Sequence, residues 1–195
     1  MKKNISIFML LAPFALLAQN SEKLDAVNPI YSEILPLDNG LITYSEVVNV
    51  EGKTKTELYI NANEWIVHTF NSAKDVIQFN DKEAGKIICK TLTSISFGKG
   101  WNKVILDPIY FLVTIEVKDG RYKITASNFI HHNVVVLAEI RAESDNPLEQ
   151  YYKKANPSEK EHQNGIKTAQ LLSEKMHSLF YNALLAMNKV EDDNW

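Results

Sequence analysis

Residues 110–130 read YFLVTIEVKDGRYKITASNFI, and this stretch decides the fold. Two runs rich in β-branched and aromatic residues, a composition that favours strands, flank the dipeptide Asp119-Gly120. Both residues of that dipeptide tolerate the positive φ angles of a two-residue hairpin loop. The stretch therefore predicts two antiparallel strands, 110–118 and 121–130, joined by a type I′ turn.

A two-residue turn also predicts the register of the hairpin, because each residue then has one partner across the turn. Side chains alternate between the two faces of a strand, so one face pairs apolar groups and the other carries the charges. The predicted pairs are Lys118 with Arg121, Val117 with Tyr122, Glu116 with Lys123, and Ile115 with Ile124.

Three further strands precede this hairpin. Residues 41–50 (LITYSEVVNV) are rich in β-branched side chains and end at a glycine-containing turn. A short strand follows at 75–79, and a longer one at 86–97 places Cys89 on the face that points to the core. Residues 98–107 are predicted as a loop.

Two helices complete the set. Thr54 and Glu57 have the spacing of a capping box, and an apolar stripe then continues to about residue 70. A second amphipathic stripe predicts a helix over about 166–188. Between the hairpin and this helix, 133–140 is a short strand or an extended return, and 141–165 is a polar connection.

The predicted fold is α+β: a two-layer sandwich in β-α-β-β-β-β-α order, with an antiparallel sheet and two helices on one of its faces. The other face is then available to solvent or to a partner.

The N-terminus has the order of a secretory signal peptide, with Lys2 and Lys3 before the apolar run 5–17. That run is shorter than the roughly 20 residues of a membrane span. We predict a signal peptide over 1–19, cleaved between Ala18 and Gln19. The mature protein is then soluble and lies in the periplasm or outside the cell. A polar leader (20–40) follows, which we expect to be extended or loosely docked, and then one domain (41–190) and a tail (191–195).

The composition narrows the partners. The chain has 21 basic and 24 acidic residues, and cleavage removes two of the lysines. The mature chain is therefore negatively charged, and a negatively charged surface repels phosphate backbones, so we expect no nucleic-acid partner. Cys89 is the only cysteine, so we expect no intramolecular disulfide. It also lies far from the apolar run 5–17, so we expect no lipid anchor on a cysteine directly after that run. We expect a packed core to hold the domain, with no integral membrane span.

Three blocks carry a resemblance to a known family: 35–70 (LPLDNGLITYSEVVNVEGKTKTELYINANEWIVHTF), 72–85 (SAKDVIQFNDKEAG) and 117–123 (VKDGRYK). Together, over about 35–129, they resemble the Gram-negative bacterial family catalogued as domain of unknown function 4468. The resemblance implies a fold like that of the TATA-binding protein, in agreement with the element order. It implies no activity or catalytic residue, because fold alone does not carry function.

The candidate binding residues are Trp101, Tyr110, Glu116, Arg121 and Lys123. The three charged residues alternate on one strand face, which is either a solvated face or a docking surface for a ligand or partner. Trp101, in a glycine-flanked loop, and Tyr110 line an exposed apolar patch at one end of the sheet. In the alternative, Trp101 caps the core.

Metal and catalytic patterns are weak. His162 and His177 each follow a glutamate by three residues, the spacing of ligands in di-iron helical bundles, but the chain shows two long helices where such sites need four. His131 and His132 point to opposite faces if they lie on a strand. The acidic turn at 80–85 lacks the ligand alternation of a calcium loop. Cys89 is interpreted as a small buried hydrophobe.

The sequence therefore predicts a non-catalytic binding or adaptor module of the cell envelope. Its partner would be an envelope protein or a hydrophobic ligand, and no cofactor is implied. The alternative from a different class is a hydrolase or metalloenzyme with a site near His162 and His177. A purely structural envelope protein is the third interpretation.

Overall fold

The computed structural model describes residues 27, 29–70, 73–137, 140–153 and 156–189. The predicted signal peptide, its cleavage site at Ala18 and Gln19, and the predicted tail 191–195 lie outside the described residues.

Eight strands and four helices form the described chain. In order they are α1 (Pro29–Ser32), β1 (Leu37–Asp38), β2 (Leu41–Ile42), β3 (Tyr44–Asn49), α2 (Lys55–Thr69), α3 (Ala73–Val76), β4 (Ile77–Asp81), β5 (Lys86–Phe97), β6 (Val104–Lys118), β7 (Arg121–Leu137), β8 (Ile140–Pro147) and α4 (Glu159–Met187). Short 3₁₀ turns occupy Gly100–Asn102 and Leu148–Tyr152.

The predicted α+β class with an antiparallel sheet is confirmed. Six strands form the main sheet in the order β3-β7-β6-β5-β4, and β8 also pairs with β7. The long strand β7 carries β6 along one side; on its other side β3 pairs with residues 121–126 and β8 with residues 130–137. The pair β1 and β2 forms a separate small sheet.

The long helices α2 and α4 pack against each other and against the sheet. Alternate residues of β5, β6 and β7 point to these helices and are buried, as period-two alternation requires. The predicted capping box is present: the Thr54 hydroxyl accepts from the Glu57 amide, and the Glu57 carboxylate accepts from the Thr54 amide at 2.8 Å. It begins α2 because it satisfies amides that lack a partner at a helix start.

The register of the central hairpin is as predicted, from Lys118 opposite Arg121 to Ile115 opposite Ile124. The prediction of a type I′ turn is wrong. That turn needs positive φ at both central residues, but only Gly120, at φ +72°, adopts it. The reason is tertiary: the Asp119 carboxylate accepts from the Lys55 amide at 2.7 Å, and the Gly120 amide donates to the Lys53 carbonyl at 2.8 Å.

The leader predicted for 20–40 needs correction in its described part. Tyr31 and Leu35 are buried in the core instead of lying loosely on it. Tyr31 packs against Tyr152 at 5.0 Å between ring centroids, and its ring also lies against Gly165 of α4. Val27, Tyr31 and Leu35 are buried at steps of four, but the polar residues and the proline between them obscure this spacing in the sequence.

The predicted connection 141–165 is also corrected. Most of it is ordered structure: β8, a 3₁₀ turn, and the first two turns of α4, which begins at Glu159 and not near 166. A second capping box explains the earlier start, since the Ser158 hydroxyl and the Glu161 side chain satisfy each other's backbone amides. Similarly, β6 begins at Val104, inside the predicted loop 98–107.

Candidate functional site

The sheet surface opposite α2 and α4 is uncovered by any element in the described part of the chain; we call it the open face. Cross-strand register identifies its members. One row runs through Phe79, Ile88, Thr114, Thr125 and Ser45, on five neighbouring strands. The next runs through Asp81, Lys86, Glu116, Lys123 and Val47. This surface mixes apolar and charged side chains, with Phe79 and Val47 exposed.

The open face is basic near the central hairpin, although the whole chain is acidic. The basic side chains on this part of the face are Lys86, Lys118, Arg121 and Lys123, and the described acidic side chains there are Asp81 and Glu116. Glu116 pairs with Lys86 at 3.2 Å. The remaining cations give this half of the sheet a positive field that the net charge conceals.

Four of the five predicted binding residues share the open face. Glu116, Arg121 and Lys123 line a shallow depression of about 230 Å³, together with Val47 and Lys118. Tyr110 lies farther along the same face, directly opposite Leu92 of β5. The alternation of charged side chains along the hairpin is what allowed the sequence to group these residues.

Trp101 does not join them. Its side chain projects fully into solvent, so it does not cap the core. The structure also separates it from Tyr110: Val104, where β6 begins, is six residues or about 20 Å along the strand from Tyr110. The exposed Ile105 lies between the two. Trp101 and Tyr110 are therefore not adjacent side chains.

A second cleft on the open face was missed by sequence reasoning. It encloses about 350 Å³ and we call it the bulge cleft; its lining residues are Lys90, Tyr110, Phe111, Leu112, Asn128, Ile130, His132 and Asp145. It lies at a β-bulge, where the register of β6 and β7 shifts between Tyr110 and Leu112 and Asn128 adopts φ +56°. No sequence motif marks this site, because its residues come from four strands.

The two adjacent histidines lie on opposite faces of β7. His132 faces the bulge cleft, where its Nδ1 lies 2.7 Å from a carboxylate oxygen of Asp145. His131, its neighbour in the strand, belongs to the other side, beside Asp107. Burial lowers the pKa of His131, and the neighbouring His132 adds to this effect. The two rings therefore lie in different environments on opposite faces of β7, as alternation along a strand requires.

The structure does not support the metalloenzyme alternative. His162 and His177 lie on the same helix, fifteen residues and about 22 Å apart, so they cannot share one ion. His162 packs near Tyr31, and His177 near Tyr44. Among the described residues, no group of three or more His, Cys, Asp or Glu side chains is placed to hold a metal.

Cys89 is buried on the helix-facing side of β5. Burial raises the pKa of its thiol to about 12, so the thiolate needed for nucleophilic attack is not populated near neutral pH. Within the described ranges, no helix combines the length and the apolarity needed to cross a bilayer.

Comparison with known proteins agrees with this fold. Residues 44–132 match the family model described as domain of unknown function (DUF4468) with TBP-like fold. No curated protein matches the chain.

Two solved structures resemble it. One is a TBP-like protein from Parabacteroides distasonis ATCC 8503, with 21% identity and a TM-score of 0.57, covering 81% of this chain and 99% of that one. The other is a DUF4468 family protein from Bacteroides ovatus ATCC 8483, with 14% identity and a TM-score of 0.55, covering 82% of this chain and 93% of that one. At these identities the likeness extends to the fold alone. Together with the DUF4468 match over residues 44–132, it shows that the chain has a TBP-like fold.

Proposed function

We propose that this protein is an exported, non-catalytic binding module of the bacterial cell envelope, and that it holds an acidic protein partner on its open face. The observation that carries the proposal is the basic, partly apolar character of this uncovered surface. A face that only needed to be soluble would not require exposed Phe79, Val47 and Leu92 beside its cations.

The charges favour an acidic partner. Arg121 and Lys123 project from neighbouring open-face positions of β7, and neither forms an ion pair within the described residues. Lys118 faces Arg121 across the hairpin, so two like charges lie side by side without neutralisation. Like charges directly opposite each other in a sheet are destabilising, and a partner carboxylate would relieve that repulsion.

Charge reversal tests the partner surface. The mature protein, immobilised on beads, is incubated with cell-envelope extract from its host, and the retained protein is identified and quantified. We expect Arg121→Glu with Lys123→Glu to lower retention at least about 10-fold, because electrostatic complementarity guides recognition. Retention by the wild type should also fall as the salt concentration rises.

A matched control is available on α4. Lys167 and Lys175 are both exposed on the helix layer, so Lys167→Glu with Lys175→Glu makes the same change in net charge on the opposite side. Unchanged retention by this control supports the open face. Equal loss in both double variants, or no protein retained by the wild type, overturns the proposal.

Export is a separate part of the proposal and rests on the charged and apolar order of residues 1–19. Cell fractionation followed by N-terminal sequencing tests it. We expect an envelope or extracellular protein that begins at Gln19. Recovery of the uncleaved chain from the cytoplasm contradicts export, whatever the result of the retention experiment.

A further inference from the structure

The bulge cleft is independent of the basic surface near the hairpin, and its lining indicates a small ligand. Its volume of about 350 Å³ lies in the range of small-molecule sites. Leu112 and Ile130 are apolar members of the lining, among polar groups such as Lys90, His132 and Asp145. Convergent polar groups beside apolar side chains are typical of a ligand site.

Lys90 supplies a cation at one side of the cleft. Its ammonium lies 5.2 Å from the centroid of the Tyr110 ring, which is a cation–π contact. Among the described residues, no carboxylate lies within ion-pair distance of this ammonium. Lys90 therefore keeps its full capacity to pair with an anionic group of a ligand.

His132 and Asp145 supply the other side. A carboxylate can only accept hydrogen bonds, so the 2.7 Å contact places the proton on Nδ1 of His132. The other ring nitrogen, Nε2, is then the one left to form a hydrogen bond with a ligand. The nearest carboxylate to Nε2, that of Glu143, is 3.9 Å away, too far for a hydrogen bond. Asp145 is largely exposed, and its second oxygen remains an acceptor as well.

The ring of Tyr110 joins the two sides. It contacts the Lys90 ammonium and lies edge-on to the His132 ring, with 6.2 Å between the ring centroids. Asn128 contributes an amide from its left-handed position in the bulge, a conformation that asparagine tolerates. Bulges are common beside binding sites because they redirect side chains in this way.

From this arrangement we infer that the bulge cleft binds a hydroxycarboxylate of about the size of an acidic monosaccharide. Its carboxylate pairs with Lys90, and its hydroxyl groups form hydrogen bonds with Nε2 of His132 and with Asp145. Its apolar C–H surface lies over Leu112 and Ile130. This ligand is distinct from the acidic protein partner proposed above, and either can be absent without the other.

Titration with three probes tests each requirement, with ¹H–¹⁵N NMR spectra of the mature protein as the readout. Glucuronate has the carboxylate and the hydroxyls, glucose lacks the carboxylate, and acetate lacks the hydroxyls. We expect glucuronate to shift the Tyr110, Asn128 and His132 amide signals saturably, with a dissociation constant on the order of 1 mM for a ligand of this size. Glucose and acetate should each bind at least about 10-fold more weakly.

Two variants complete the test at constant ionic strength. Lys90→Met should weaken glucuronate binding at least about 10-fold, since it removes the charge and keeps most of the side-chain volume. Lys86→Met, four residues away on the same strand face, should bind glucuronate like the wild type. His132→Phe should abolish the advantage of glucuronate over acetate while leaving weak binding of acetate.

The same spectra show whether each variant is folded. Shifts that do not saturate, or that spread over the surface, overturn the inference. So does a Lys90→Met variant that binds as the wild type does, or acetate binding as tightly as glucuronate. None of these results bears on retention of a protein partner, so the two proposals fail separately.

Discussion

Replacing Gly165 with alanine tests whether residues 29–35 belong to the folded core. Gly165 is buried in the second turn of α4, where an added Cβ would lie 2.8 Å from Cζ and 2.9 Å from Cε1 of Tyr31. Real Cβ atoms essentially never approach other atoms below 3.0 Å. The Tyr31 ring cannot easily withdraw, because it packs against Tyr152 on one side and near His162 on another.

The expected size follows from two opposing terms. Alanine is favoured over glycine inside a helix by about 1 kcal/mol. Overpacking a rigid ring in a close-packed site costs about 1–3 kcal/mol, and the ring contact here calls for the upper part of that range. We therefore expect Gly165→Ala to lower the free energy of unfolding by about 2 kcal/mol.

The same substitution should have the opposite sign once the ring is gone. In a Tyr31→Ala background, only the helix-propensity term remains, so Gly165→Ala should raise the free energy of unfolding by about 1 kcal/mol. Tyr31→Phe is an intermediate control: it removes the hydroxyl oxygen, which lies nearest the added Cβ, but keeps Cζ and Cε1, so Gly165→Ala should still destabilise there, by less than in the wild type.

Urea unfolding followed by circular dichroism measures all members of this cycle, provided the slope with denaturant is unchanged. The coupling energy between the two sites should be about 3 kcal/mol, within the range for residues in direct contact. The reasoning is refuted if Gly165→Ala stabilises the wild type, or if it destabilises the Tyr31→Ala variant by as much as it does the wild type.

Three further predictions concern a buried acid, a thiol and the helix caps. Glu149 is buried, and its carboxylate accepts a hydrogen bond from the Ile42 amide at 2.7 Å. Glu149→Ala should therefore lower the free energy of unfolding by about 1–3 kcal/mol, and Glu149→Gln by clearly less, because glutamine keeps an acceptor. Equal losses for the two variants in urea unfolding would contradict this prediction. Burial raises the pKa of the Cys89 thiol to about 12, so the folded protein keeps this proton above pH 9 while the unfolded chain loses it, and the free energy of unfolding should fall as the pH rises from about 9 towards 12. At pH 8 a thiol reagent should label Cys89 only in urea. Rapid labelling of the native protein would refute the burial of Cys89. Thr54→Ala and Ser158→Ala should each lower stability by about 1 kcal/mol through loss of a capping box, measured by thermal unfolding against the exposed control Ser178→Ala, which should change little.

Local signals in the sequence were sufficient for the elements that position the open face. The strands 86–97 and 121–130 and the capping box at Thr54 are defined by residues within a few positions of each other, so period and spacing predict them. Because side chains alternate strictly along a strand, the hairpin register already grouped Glu116, Arg121 and Lys123 on one face. The sequence alone thus predicted the part of the candidate site that lies near the central hairpin.

The bulge cleft could not be predicted in this way. A single extra residue at Asn128 shifts the side on which every later residue of β7 lies, and nothing in the local sequence demands it. The strand β8 was also hidden, because a polar edge strand such as IRAESDNP lacks the apolar alternation that marks a half-buried strand. Asp145 could not be placed beside His132 without both of these facts.

By itself, the sequence determined the α+β class, the central hairpin with its register, and the grouping of Glu116, Arg121 and Lys123 on one strand face. Each of these depends on contacts between residues close in the chain or on strict alternation. Only the tertiary structure decided the turn geometry at Asp119, the docking of Tyr31 against Gly165, and the meeting of Lys90, Tyr110, His132 and Asp145. These features depend on contacts between residues far apart in the chain, whose free energy appears only when the sheet and helices are assembled.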